Sequence, residues 1–278
     1  MTDKQIKRFS ILIFGGEIGG IGKSMVARVG VEQKIAAKQE FYLIDADAST
    51  PNVGLTYEKS MYEAFLSQGT TSSNPRSLDS SFKQKLQLRQ RITFTGDVKS
   101  YLMADEILEL AREKDTIVVL PSQVALYVDR WIEHNDITGM LAEADNPIDF
   151  HYFFVTNGTP ESIDIFIDSV EKTQGKIPYV LVKNLGAATN IDWKWFDRDK
   201  KAKTIIDKYQ LKTVEFPELV ILPEVKTKIF SENISFTKAL TSDWMPYSSK
   251  RRLTTWLRSA TQGLGATGLL PYHPEYLP

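Results

Sequence analysis

The chain has 278 residues, 42% of them apolar and 25% charged, with a formal net charge of -1; this is an ordinary globular composition, enough for one large α/β domain or two small ones, and it excludes a global field that would draw the chain to nucleic acid, so any such contact must come from a local patch. There is no cysteine, which excludes disulfides and thiolate metal sites. No apolar run approaches the ~20 residues of a membrane span, and the polar start MTDKQIKR does not read as a signal peptide.

The first apolar run, residues 9–14 (FSILIF), reads as a buried strand, and residues 25–37 read as a helix with Val26, Val29, Ile35 and Ala36 at helical spacing. Between them runs the glycine-rich stretch GGEIGGIGKS. A glycine turn between a strand and a helix is the setting of a phosphate-binding loop. Gly19, Gly20 and Gly22 let the backbone curl so that its N–H groups face an anion, with Ile21 and Met25 completing the loop and the first helical turn. Lys23 adds a mobile positive charge, Ser24 offers a hydroxyl to Mg2+, and the helix N-terminus adds its dipole. Against G-x-x-x-x-G-K-[ST], Gly22-Lys23-Ser24 fits, but the first glycine falls on Glu17. A dinucleotide fingerprint cannot be laid over these glycines. The plain alternative is a glycine turn with a chance Gly-Lys-Ser.

A second strand, residues 41–44 (FYLI), ends on Asp45-Ala46-Asp47. Carboxylates two residues apart at a strand's C-terminal end share a side, at the edge where open α/β sheets hold ligands. Their repulsion favours a nearby cation, unless both are merely solvated loop acids. Residues 49–56 read as a loop, 61–66 as a short helix, 68–80 as a polar surface segment and 82–91 (FKQKLQLRQR) as a basic, solvated run. A short strand at 92–94, an amphipathic helix at 101–112, a strand at 115–120 and a long helix at 124–141 follow. Residues 149–156 form another strand, and Asn157-Gly158-Thr159-Pro160 introduces a helix over 161–174 with Pro160 at its first position.

The strand at 177–182 leads to Lys183-Asn184. The Asn184 amide carries both donor and acceptor, which the edge of an adenine requires; an ordinary turn residue is the alternative. Lys183, with Lys176 and Lys226 as rivals, is the lysine best placed to bring charge to a phosphate from a new direction, although most such lysines are solvated. Residues 185–196 read as a loop carrying Trp193 and Trp195, 197–209 as a charged helix and 213–216 as an edge strand, followed by Pro217-Glu218-Leu219. Short helices at 223–232 and 236–240 precede the last one, 248–262, capped by Ser248 or Ser249. Its stripe is Leu253, Trp256 and Leu257; Lys250, Arg251, Arg252 and Arg258 spread around the rest, as a solvated face or as a phosphate-binding patch. Residues 264–278 read as an extended tail after a domain spanning 1–263. His134, His151 and His273 show no metal-ligand spacing, and no nucleophile-elbow motif is present.

The run at 18–24, IGGIGKS, resembles the deviant Walker A box K-G-G-x-G-K-[ST] of the ParA/MinD family of ATPases. Ile18 stands where the family has its signature lysine, a departure that resembles the branch of carboxysome-positioning McdA proteins and some conjugative-plasmid ATPases. The resemblance covers about the first 220 residues, by motif order. It implies that Asp47 orients or activates the attacking water, that Asp45 holds magnesium through its water shell, that Asn184 meets the adenine, and that the backbone at Pro217 lines it. It also implies a Walker B aspartate after the third long strand, where Leu120 stands instead, so slow hydrolysis is expected.

Strands and helices alternate along the chain, so the expected fold is α/β, doubly wound, with a mostly parallel sheet; the resemblance makes it a P-loop NTPase of SIMIBI type. What it implies in function is a cytoplasmic, nucleoid-associated ATPase that uses ATP and Mg2+ to form a homodimer. The dimer would hold DNA without sequence preference and position a carboxysome or plasmid through an adaptor of ParB or McdB type. A nucleotide-bound switch scaffold with little hydrolysis is the alternative. A small-molecule kinase or synthetase using the same loop, similar to dethiobiotin synthetase, ranks last for want of a substrate constellation.

Overall fold

The computed structural model describes residues 8–58, 92–187 and 193–272. Six strands, β1 (Phe9–Gly15), β2 (Phe41–Asp45), β3 (Asp115–Val119), β4 (Ile148–Thr156), β5 (Tyr179–Asn184) and β6 (Lys212–Phe216), form one sheet in the order β2-β3-β1-β4-β5-β6. Every pairing among the described residues is parallel, so the sheet expected to be mostly parallel is wholly so there. From β1 the chain steps out to β2, returns to β3, then crosses to β4. The order therefore reverses at β1, and the crevice beyond the carboxyl ends of β1, β3 and β4 is the topological switch point where such sheets bind ligands.

The strands are apolar along their length because helices cover both faces. Alternation along β1 sends Ile11 and Ile13 into one core and Leu12 and Phe14 into the other. The first core is closed by the helices Glu106–Ala111, Ala125–His134, Pro160–Lys172 and Lys200–Tyr209; the second by α1 (Lys23–Ala36) and by Pro223–Ser231, Phe236–Thr241 and Tyr247–Gly265. α1 lies between the sheet and the last helix and is buried on nearly every side. Its polar residues are paired accordingly: Gln33 donates to the carbonyls of Thr261 and Pro271, Lys34 to Asp115, and Glu32 accepts from the Tyr57 hydroxyl and the Phe236 N–H.

Several elements depart from expectation for local reasons. The helix expected at 101–112 is two, Val98–Ala104 and Glu106–Ala111; at the break, Asp105 accepts from Trp131 Nε1 at 3.1 Å and Asn135 Nδ2 at 2.8 Å. The long helix expected at 124–141 also divides, into Ala125–His134 and Ile137–Met140, with Asp136 left-handed at φ 43° and its carboxylate capping the second piece. Residues 52–58 are helical, against the loop expected over 49–56, and 92–94 form no strand although Ile92 and Phe94 are buried. The last helix starts at Tyr247 behind Pro246 without a side-chain cap, so neither Ser248 nor Ser249 caps it. It runs to Gly265, and the segment expected to trail away from residue 264 begins inside it; Leu264 and Leu270 are buried in the second core. The expected elements at 61–66, 68–80 and 82–91, His273 and the rest of the terminus, and the side chain of Trp195 lie outside what is described. No described helix is long and apolar enough to cross a membrane.

Candidate functional site

β1 delivers the chain to the switch point and α1 carries it away. Between them Gly16, Gly20 and Gly22 have φ of 147°, 75° and 91°. At Gly16 a Cβ would lie 2.6 Å from the Val155 carbonyl oxygen, and at Gly22 it would fall on Asn184 Nδ2; space and backbone together restrict both positions to glycine. At Gly20 such a carbon would meet nothing within 4 Å, so the bend opens outward. Among the described residues, no protein acceptor takes the amides of residues 19–24; the first bonds after the turn run from Met25 N and Val26 N to Gly22 O, at 3.0 and 3.1 Å. Six consecutive N–H groups without partners at the start of a helix make a concave donor surface that an anion satisfies.

Lys23 is only 8% exposed. Its ammonium donates to the Ile18 carbonyl at 3.1 Å, closing the loop on itself. Burial lowers its pKa, while the charges of Glu17 and Asp47 hold it up. Ser24 is half-buried on the same turn, and its hydroxyl makes no hydrogen bond among the described residues. The loop thus gathers amides, ammonium and hydroxyl on one rim.

Asp45 and Asp47 reach the same edge but have different surroundings. Asp45 Oδ1 accepts from Asp47 N at 3.3 Å, and Oδ2 accepts from Val53 N and Gly54 N at 2.9 and 3.0 Å. These last two amides open the helix at 52–58, so Asp45 acts as its cap at long range, which is why that segment is helical. Burial pushes the Asp45 carboxyl up to about 6 against these donors. Asp47 accepts from Ser49 N, Ser49 Oγ and Thr50 N through Oδ1, and from Thr50 Oγ1 through Oδ2. Those donors outweigh its own desolvation and hold it below the usual carboxylate range, so Asp47 is the more acidic member of the pair, and its charge helps to hold up the Lys23 ammonium.

Asn184 is buried at the end of β5. Its Nδ2 donates to the Ile21 carbonyl at 2.7 Å and its Oδ1 accepts from Gly186 N at 3.0 Å. The side chain expected to meet a base therefore pins the glycine loop to β5. Leu185 N donates to Phe216 O and a Cβ on Gly186 would come within 3.0 Å of Glu218 Cα, so the Pro217 turn lies against the Asn184 turn. The Pro217 carbonyl is fixed by Trp256 Nε1 at 2.8 Å. Lys183, one residue before Asn184, points to the opposite face of the sheet. Its ammonium bonds Glu215 at 3.0 Å and sits 5.3 and 5.2 Å from the rings of Trp193 and Phe196. It is not brought to the loop, and it is held where it is by charge and aromatic faces.

Leu120 follows β3 and is buried in the first core, so no carboxylate stands there. Two residues were not singled out from the sequence as part of the site. Arg28 on α1 is fully buried; its Nη2 donates to Asn52 O at 3.2 Å, its guanidinium lies 4.8 Å from the Phe230 ring, and Nε and Nη1 have no partner among the described residues. A charge inside the apolar run VARVGV was the available signal. The other is Glu17, whose Oε1 is buried without a partner among the described residues.

No family model matches the sequence, and no curated protein does. Among solved structures the chain is similar to the MinD cell division protein of Aquifex aeolicus, with 16% identity over 96% of this chain and 98% of that one and a TM-score of 0.45. A plasmid partition protein from Borrelia burgdorferi gives 15% identity, 75% and 89% coverage and a TM-score of 0.38. A Cyanothece McdA–ATP complex gives 12%, 93% and 97%, and 0.41.

Proposed function

We propose that this chain is an ATP-dependent partition or positioning ATPase that binds Mg-ATP on the loop at 19–24. The observation that carries the reading is the row of six amides, Gly19 to Ser24, that have no partner among the described residues, on a turn held open by glycines at the sheet's switch point. A triphosphate fits this donor set, since backbone N–H groups and an ammonium are what phosphate oxygens need. The Ser24 hydroxyl is a hard oxygen ligand suited to Mg2+, which would neutralise charge on the phosphates. Asp47, ionised and beside Lys23, is assigned to orienting the attacking water. Asp45 is assigned to the magnesium's water shell through lone pairs its three amides leave free. On the base side, Asn184 and the Pro217 turn lie together and are assigned to the adenine.

In this reading two copies close over the nucleotides, the dimer holds DNA through Lys250, Arg251, Arg252 and Arg258, and an adaptor triggers hydrolysis and release. Asp47→Ala should trap a Mg-ATP-bound dimer, read as particle mass in solution; a monomer at saturating Mg-ATP contradicts that role. A second reading, a nucleotide-bound switch that scarcely hydrolyses ATP, is favoured by the buried Leu120. Turnover measured with DNA and the cognate adaptor separates the two: stimulated hydrolysis supports the ATPase, and none supports the switch.

A further inference from the structure

Glu17 occupies the position where G-x-x-x-x-G-K-[ST] has its first glycine. Its main-chain carbonyl accepts from Gln123 N at 3.2 Å, which fixes the loop to the turn after β3. Its side chain is turned inward, with Oε1 sealed from solvent and without a hydrogen-bond partner among the described residues. The groups whose charge or dipole acts on it come from four elements: Lys23 of α1, Asp129 and the amides of Val124 and Ala125 at the start of Ala125–His134, Tyr152 of β4, and Lys172 of Pro160–Lys172; none of the described residues forms an ion pair with it within 4 Å. The Lys172 ammonium is bonded to Asp129 at 2.9 Å, which leaves Lys23 as the cation that offsets Glu17 inside the loop. A polyphosphate in the cradle would draw that ammonium to its own oxygens.

We propose that Glu17 determines what charge the phosphate loop accepts: its carboxylate competes with the incoming polyphosphate for Lys23, so capture of a nucleotide places a solvent proton on Glu17. The inference rests on the phosphate-binding reading above and adds to it a cost that grows with ligand charge. Burial already raises the Glu17 carboxyl, against the two amides and Lys23 that lower it, with Asp129 adding to the rise. When Lys23 turns to phosphate, the carboxylate loses a compensating cation and gains a like charge, and both changes favour the protonated form. Affinity then falls as pH rises, since the ionised carboxylate opposes the anion.

The test is calorimetric titration with Mg-AMPPNP from pH 6.5 to 8.5, in two buffers of different ionisation enthalpy, for the wild type and Glu17→Gln. The wild type should take up more protons per nucleotide than the variant and bind more weakly as pH rises. The variant should bind about tenfold tighter at the upper pH, the equivalent of one pKa unit. Glu17→Gly, which restores the motif residue, should behave as Glu17→Gln does and guards against a folding defect in one variant. Equal proton uptake and equal affinity in wild type and variants, or weaker binding by both variants, overturns the role of Glu17 alone. Absence of binding by all three proteins at every pH overturns the phosphate-loop reading itself, and this inference with it.

Discussion

At the scale of single residues, the shape of the loop depends on one amide side chain. Asn184 reaches from β5 to the Ile21 carbonyl, and Gly22 leaves the space it passes through. Asn184→Ala strands a buried carbonyl, at a cost of about 1–3 kcal/mol, and should lower both the thermal midpoint and the affinity for Mg-ATP; an unchanged midpoint contradicts the pin. Gly22→Ala adds a carbon where Nδ2 sits and a side chain at positive φ, and should lose nucleotide binding with a similar loss of stability. Gly22, Lys23 and Ser24 could be identified by their spacing alone, because a tight turn restricts which residues it admits. The use of Asn184 could not, because a hydrogen bond across 163 positions leaves no local mark. For the same reason Asp45 could be placed at the ligand edge from its strand, while its capping of residues 52–58 could not.

At the scale of elements, the strands were readable because each is a short apolar run, and the alternation with helices implied the doubly wound sheet. Helix ends were less so. Asp105 and Asp136 each break a periodic pattern by turning a carboxylate to a nearby donor, and the apolar spacing on either side continues as if unbroken. α1 conceals its burial because Arg28, Glu32, Gln33 and Lys34 on it are all inside. Glu32 ties α1 to the start of Phe236–Thr241 through the N–H groups of Phe236 and Thr237 and the Thr237 hydroxyl. Burial raises its carboxyl above the ordinary 4.5, against hydrogen bonds from Tyr57, Thr237 and Phe236. A carboxyl raised in the folded state adds stability that is complete below the unfolded value and is lost as pH rises through the folded one. Glu32→Gln should therefore flatten the decline in unfolding free energy as pH is raised from about 4.5; the same decline in both proteins contradicts the assignment.

At the scale of the whole molecule, the net charge of -1 means that the proposed attraction to DNA has to be concentrated. The last helix carries Arg251, Arg252 and Arg258 exposed, with Lys250 half-buried beside them. Its first turn holds no acidic residue, so the positive end of the helix dipole adds to the patch. Replacing Arg251 and Arg252 with alanine should weaken DNA binding for all sequences alike and reduce the slope of log affinity against log salt by about 2; an unchanged slope moves the contact elsewhere. In the proposed function, dimerisation, DNA binding and release would all follow from nucleotide occupancy of one loop, so that occupancy is the claim to measure first. Equilibrium titration of Mg-ATP should give a saturable affinity in the micromolar range for the wild type and none for Lys23→Ala, with both proteins unfolding cooperatively. Micromolar binding retained by Lys23→Ala, or no binding by the wild type, contradicts the account.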